Sequence, residues 1–200
     1  MKRNILDYEV ESKAVIDCVD EITQAIDLKQ YGCEWLACIN PHSYVVARSD
    51  NVYAAALRSA RWLIPDGVGI TVAGRILGRP LQSRITGSDI FYGVMTNLDT
   101  AGKSVFFLGS TEYTLDLISK KLAVDYPNIR LAGTYSPPFK DEYSQDEIDA
   151  MIEHVNISKA DVLWVGLTAP KQEKWIYANC EKLEVPFAGA IGAVFDFYTD

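Results

Sequence analysis

Apolar positions along the chain fall into short solid runs, separated by stretches in which they recur every third or fourth residue. Residues 5–10 predict a short edge strand. Val15, Val19, Ile22 and Ile26 then share one helical face, with Glu11, Asp17 and Glu21 on the polar side and Tyr31-Gly32 as the stop. Trp35-Leu36-Ala37-Cys38-Ile39 reads as a buried strand, followed by Asn40-Pro41-His42-Ser43. A helical region covers about 44–59, interrupted near Ser49-Asp50, where Asp50 can cap the second half. A strand at 62–64 precedes a helix over 68–77, and Ser88 is a plausible cap for a helix carrying Phe91, Val94, Met95 and Leu98. From there the alternation is regular. Strands are expected at Ser104–Leu108, Ile129–Leu131, Asp161–Val165 and Val185–Ala188. Helices are expected around Leu115, Ile118 and Leu122, around Ile148, Ile152 and Val155, and over Lys171–Asn179. This rhythm predicts an α/β protein with a largely parallel, Rossmann-like sheet and helices on both faces.

Length and composition narrow the classes. The chain has 200 residues, 48% of them hydrophobic, enough for one sizeable core with room for two subdomains. It carries 27 acidic and 19 basic residues, a formal charge of -8, which argues against a general nucleic-acid surface. Cys18, Cys33, Cys38 and Cys180 are scattered without a CxxC, and His42 and His154 have no ligand spacing beside them, so no structural zinc site is expected. Reduced cysteines and the lack of a signal-peptide pattern at residues 1–7 point to the cytoplasm. Charges interrupt every long apolar run, so no spanning helix is expected.

In open α/β sheets ligands gather beyond the carboxyl ends of the strands. Six loops qualify: 40–43, 65–69, 109–112, 133–139, 166–173 and 189–192. Pro65-Asp66-Gly67-Val68-Gly69 stands out, because an apolar strand delivers a carboxylate beside two glycines. Asp66 could accept a proton from a hydroxyl attacking an electrophile, or hold a magnesium ion; the plainer reading is an Asp-Gly turn or a helix cap. Gly109-Ser110-Thr111-Glu112 suits an anion at a helix N-terminus, or ordinary capping, and carries neither common phosphate-loop pattern. Gly166 opens a loop to Pro170-Lys171-Gln172-Glu173, where Lys171 could meet phosphate and Gln172 and Glu173 could meet hydroxyls or a base edge; a solvated helix start is the competing reading. Arg84 could grip a pyrophosphate or pair structurally with Asp89. His42 is a possible binder, and His154 sits inside a helix. Tyr135-Ser136-Pro137-Pro138-Phe139 is a stiff aromatic loop that could cover a ligand. The stretch from Phe187 to Phe197, with small residues after its strand, serves close backbone packing or a glycine-lined pocket wall.

Taken together these stretches resemble the WecG/TagA/CpsF glycosyltransferase family. The resemblance rests on Asn40-Pro41-His42, Pro65-Asp66-Gly67-Val68-Gly69, Arg84-Ile85-Thr86-Gly87-Ser88-Asp89, Val105–Gly109, Val165-Gly166-Leu167, Pro170-Lys171-Gln172-Glu173-Lys174-Trp175, and Gly189 to Gly192 with Phe195-Asp196-Phe197. It implies a metal-independent, inverting transfer of a sugar, N-acetylmannosamine or a related hexose, from a UDP-sugar to a polyprenyl-diphosphate-linked sugar. The pathway would be that of teichoic acid or another surface polysaccharide, at the cytoplasmic face of the membrane. A non-catalytic nucleotide-sugar binding protein is the alternative. The resemblance implies Asp66 as base, with Cys38, Asn40, His42, Arg84 and Asp89 on the acceptor or pocket side. It implies Gly109, Ser110, Tyr135, Gly166, Lys171, Gln172, Glu173 and Gly189 on the nucleotide-sugar side. Many relatives have threonine where this chain has Cys38. Relatives also continue past the Phe195-Asp196-Phe197 segment with a basic membrane-associating tail, so residues 1–200 are expected to be a glycosyltransferase core without that appendage. Homo-oligomerisation is compatible with the resemblance.

Overall fold

The structure, a computed structural model, describes residues 1–28, 32–82 and 84–199. The expected end of the first helix at Tyr31 lies outside the described residues. The chain opens on an antiparallel hairpin, β1 (Lys2–Ile5) and β2 (Tyr8–Glu11), where a single edge strand was expected. Leu6 and Asp7 both take positive φ, 52° and 67°, the two-residue turn that matches the twist of paired strands. Helix α1 (Val15–Leu28) follows and buries Cys18, Val19, Ile22, Ala25 and Ile26 on one stripe.

Strand β3 (Glu34–Ile39) leads into two short helices, α2 (Pro41–Ala47) and α3 (Asn51–Ser59). The break falls where the sequence placed it, since the Asp50 side chain accepts from the Tyr53 N–H at 2.9 Å. Helix α2 starts earlier than expected. Pro41 suits a first helical position, and Asn40 and Ser43 form a reciprocal cap ahead of it. Strand β4 (Trp62–Pro65) and α4 (Val68–Ile76) come next, then α5 (Gly87–Ala101). The cap of α5 is Thr86, not Ser88: Thr86 Oγ1 accepts from the Asp89 N–H, and the Asp89 carboxylate accepts from the Thr86 N–H at 2.8 Å. Ser88 is left inside the first turn.

The second half alternates β5 (Ser104–Gly109), α6 (Glu112–Asp125), β6 (Arg130–Tyr135), α7 (Gln145–Ser158), β7 (Val162–Gly166) and α8 (Lys171–Asn179). It ends in β8 (Phe187–Ala190) and α9 (Val194–Thr199). Strand β8 begins two residues later than expected, and α9 was read only as a run of small residues with an aromatic end. The six strands β3 to β8 form one sheet in the order β4-β3-β8-β7-β5-β6, every neighbour parallel.

The pleat sorts this sheet into two cores. Ala37, Leu63, Ala188, Leu163 and Phe106 face one side, packed with residues of α3, α7 and α8. Leu36, Trp62, Trp164, Phe107 and Phe187 face the other, against α1, α5, α6 and α9. Strands β4, β7 and β8 are therefore apolar at every position, as a sheet covered on both faces requires, whereas the edge strand β6 carries Arg130 and Thr134 and buries none of its residues.

Candidate active site

Asp66 follows directly on β4 at the carboxyl edge of the sheet. Its N–H donates to Ile39 O and to Ile64 O, both at 2.9 Å, which pins the loop to the end of β3. Gly67 then takes φ 95°, a value that would strain a residue with a Cβ, so the chain can turn sharply into α4. The Asp66 carboxylate accepts from the backbone N–H of Gly87, the first residue of α5. Burial pushes its pKa up; that N–H and the Arg84 guanidinium pull the other way, and the Asp89 carboxylate adds to the rise. The proton affinity is thus above that of an ordinary aspartate, which suits a general base.

The carboxylate opens into a cleft of about 350 Å³. One wall is Arg84 with Thr86, Gly87 and Ser88; the other comes from Ile191, Ala193, Val194 and Phe197. Loop 65–69 and the segment after β8 therefore meet, as the strand-end rule requires. Helix α9 supplies part of that wall, within the segment 187–197 that the sequence offered as a pocket wall but without an expected helix. The signal available was the Phe195-Asp196-Phe197 segment: Phe195 is buried against Phe107, while Phe197 is exposed and lines the cleft.

Cys38 lies just behind. It is one residue before the end of β3, pairs with Ile64 in register, and its Sγ packs against Gly87. Burial, reinforced by the carboxyl groups of Asp66 and Glu173, holds the thiol well above its usual pKa. It stays a neutral thiol and is not a nucleophile. Asn40 commits its Oδ1 to the Ser43 N–H at 2.9 Å, so its Nδ2 amide is what it can offer a ligand. His42 is exposed on the first turn of α2.

Gln172 and Glu173 are both buried at the start of α8. Gln172 Nε2 donates to Glu173 Oε1 at 2.9 Å, and the Gln172 amide abuts Gly192, in the loop that leads to the cleft wall. Glu173 Oε2 makes no hydrogen bond among the described residues. Burial raises the Glu173 pKa to about 7, offset in part by the Gln172 bond. The consequence for stability has a definite sign. The folded state holds a proton that the unfolded chain releases near 4.5, so stability is full below that pH and is lost as pH rises towards 7. Glu173→Gln keeps an acceptor for Gln172 and removes the titration. It should leave stability at pH 4 unchanged and raise it by about 3 kcal/mol at pH 8. Urea unfolding at the two pH values measures this, and equal stabilities at pH 8 would reject a neutral buried Glu173.

Other sequence candidates sit apart from the cleft. Ser110 has φ 60°, its N–H is taken by Gly166 O at 3.1 Å, and its own carbonyl accepts from Ser136 Oγ at 2.7 Å. The loops after β5, β6 and β7 are therefore tied to one another. Gly109 backs onto the Gly166 backbone, and Gly166 lies under the Phe195 ring. Tyr135 stacks on His154 of α7 with ring centroids 4.3 Å apart. Lys171 reaches the Lys140 carbonyl, its ammonium 5.6 Å from the Phe139 ring centre and 5.4 Å from that of Tyr143. Gly189 lies under Trp164 in the core. Asp89 acts as the α5 cap, with its charge felt at Asp66. Among the described residues no three His, Cys, Asp or Glu side chains are grouped to hold a metal ion.

A parallel sheet covered on both faces, with a proton-accepting carboxylate and a guanidinium in a cleft beyond its strand ends, defines an α/β protein with a ligand site in the expected place. The chain belongs to the WecG/TagA/CpsF glycosyl transferase family, whose model matches residues 3–200. It is similar to an N-acetylglucosaminyldiphosphoundecaprenol N-acetyl-beta-D-mannosaminyltransferase of Bacillus spizizenii, 29% identical over 82% of this chain and 62% of that protein. The protein of the same name from Bacillus subtilis is 27% identical over the same shares, and that of Staphylococcus aureus 23% identical over 98% of this chain and 75% of the relative. The chain thus spans about three-fifths of the two Bacillus relatives.

Proposed function

We propose that the chain is an inverting glycosyltransferase that moves a sugar, N-acetylmannosamine or a related hexose, from a UDP-sugar to a polyprenyl-diphosphate-linked sugar in surface-polysaccharide synthesis. Family membership and the names of the relatives support the class. The observation that carries the reading is the Asp66 carboxylate, half-buried, raised in proton affinity and placed with Arg84 in one cleft. In a single displacement Asp66 takes the proton of the acceptor hydroxyl. The oxygen attacks the anomeric carbon, and the bond to UDP breaks on the opposite face. The proton ends on Asp66, and the new negative charge ends on the diphosphate. Arg84 can offset that charge bidentately. Asn40 and His42, on the neighbouring strand end, are assigned to the acceptor side, and Gln172 and Glu173 to the wall behind the donor. The transfer takes place at the cytoplasmic face of the membrane and needs no metal.

The test is transfer from a panel of UDP-sugars to short-chain lipid-diphosphate acceptors, with and without EDTA. Acceptor-dependent transfer that EDTA leaves intact is expected; sugar release without acceptor dependence would make the protein a hydrolase. The pH profile is specific. Asp66 works deprotonated, so the rate falls as pH drops through its pKa, and that limb lies higher than for an ordinary aspartate because burial raises it. Arg84 holds the pKa down, so Arg84→Ala should lower the rate and move the limb to higher pH. A lower rate with an unmoved limb would mean that Arg84 serves the substrate and not the base.

A further inference from the structure

Helix α4 is half buried and half unpartnered. Ile70 and Gly74 face inward, Gly74 against Ile5 of the β1–β2 hairpin and Leu81. On the opposite side Val68, Val72 and Ile76 are 59%, 42% and 79% exposed, and Leu77 beyond them is 47% exposed. At about 100° per residue, Val68, Val72, Arg75 and Ile76 fall within one arc of roughly 100°. The hydroxyl of Thr71, beside that arc, is turned back onto Val68 O at 2.7 Å, so this face presents few polar groups to solvent.

The charge around this face is opposite to that of the whole chain. From Gly67 to Ser88 the sequence has Arg75, Arg79 and Arg84 and no Asp or Glu, in a protein of formal charge -8. Arg75 is exposed in the last turn of α4, and the Arg79 guanidinium is held by Asn4 O and Oδ1 of the β1–β2 hairpin, at 2.8 and 3.1 Å. An apolar stripe flanked by arginines matches an interface that is apolar below and anionic at its surface. A symmetric pairing of two copies through the same stripe would bring both Arg75 charges into an interface where the stretch from Gly67 to Ser88 has no Asp or Glu to pair them, which disfavours a second chain as its occupant.

We propose that the outer face of α4 is a docking surface for an anionic lipid bilayer, with Val68, Val72 and Ile76 entering the headgroup boundary and Arg75 meeting lipid phosphates. Helix α4 begins two residues after Asp66, and its Gly69 rests on Pro41 at the start of α2. Docking by this face would hold the loop that carries Asp66, two residues before α4, close to the bilayer. The use of that placement for a lipid-linked acceptor rests on the function proposed above; the docking itself does not.

The test is co-sedimentation of the protein with vesicles of phosphatidylcholine alone or mixed equally with phosphatidylglycerol, at low and high salt. Binding to the mixed vesicles at low salt is expected, with loss on pure phosphatidylcholine or at high salt. Arg75→Glu, a change of two charges, should weaken binding about 25-fold, since each charge near such a surface changes affinity roughly fivefold. Val72→Ser with Ile76→Ser should weaken it by a similar factor, with the circular-dichroism melting curve of each variant confirming the fold. No binding to the mixed vesicles at low salt, or undiminished binding by folded variants, would overturn the proposal. So would a concentration-dependent doubling of mass that the apolar variant abolishes while vesicle binding stays intact, which would make this face a contact between copies. Sedimentation is read without any transfer assay, so loss of docking and loss of transferase activity are separate results.

Discussion

Asp66→Asn is expected to lower acceptor-dependent sugar transfer by about 10²- to 10⁴-fold, the usual contribution of a positioned general base. Asparagine has the same shape and still offers an oxygen to the Gly87 N–H, so the loop between β4 and α4 keeps its anchor. What disappears is the group that takes the proton as the acceptor oxygen forms its bond. UDP affinity should stay within a few-fold of the parent, because the base lies on the acceptor side of the displacement. Initial rates with a short-chain lipid-diphosphate acceptor, and UDP binding by calorimetry, measure the two quantities. Transfer at the parent rate would remove Asp66 from the mechanism. UDP binding with no transfer by the parent protein would leave a nucleotide-sugar binder.

Gly189→Ala is expected to destabilise the fold by about 3 kcal/mol, at the upper end for overpacking a core. Gly189 pairs with Trp164 on β7 and with Leu36 on β3. A Cβ built there would stand 2.2 Å from Trp164 Cζ3 and 2.5 Å from Cε3. The indole has nowhere to go: Phe91 is 5.1 Å and Phe187 5.7 Å from it, centre to centre, and its Nε1–H meets Met95 Sδ at 3.3 Å. For a chain of this size the loss corresponds to a fall in thermal midpoint of roughly 10 °C. A residue of the pocket wall would behave differently, weakening nucleotide binding at unchanged stability. Calorimetric melting set beside UDP titration separates the two. A stable variant with impaired binding would return Gly189 to the site.

The alternation of apolar runs and helical stripes was enough to read a parallel α/β sheet, because strands covered on both faces need apolar residues at every position. The break at Asp50, the span of α8 and the carboxylate after β4 were readable for the same local reason: caps, prolines and glycines act within a few residues. Two boundaries were misread where local signals compete. Thr86 and Ser88 are both good caps, and the choice fell to the residue whose partner, Asp89, stands three positions on. The hairpin at the start looked like one strand because its turn uses Leu6 and Asp7 in place of glycine.

The family match shows what kind of chain this is, and the sequence carried that resemblance in Pro65-Asp66-Gly67 and Pro170-Lys171-Gln172-Glu173. By itself the sequence determined the elements and the strand-end positions of the candidate residues, since both depend on neighbours along the chain. Only the tertiary structure decided which strand ends meet. The order β4-β3-β8-β7-β5-β6 puts the segment after β8 beside the β4 side of the sheet, where α9 walls the Asp66 cleft. The same packing ties the loops after β5, β6 and β7 to one another and buries Glu173 where its carboxyl favours the proton. Those outcomes arise from contacts between residues far apart in the chain, from 26 positions for Ser110 and Ser136 to more than a hundred for Asp66 and the segment after β8, and no local pattern encodes them.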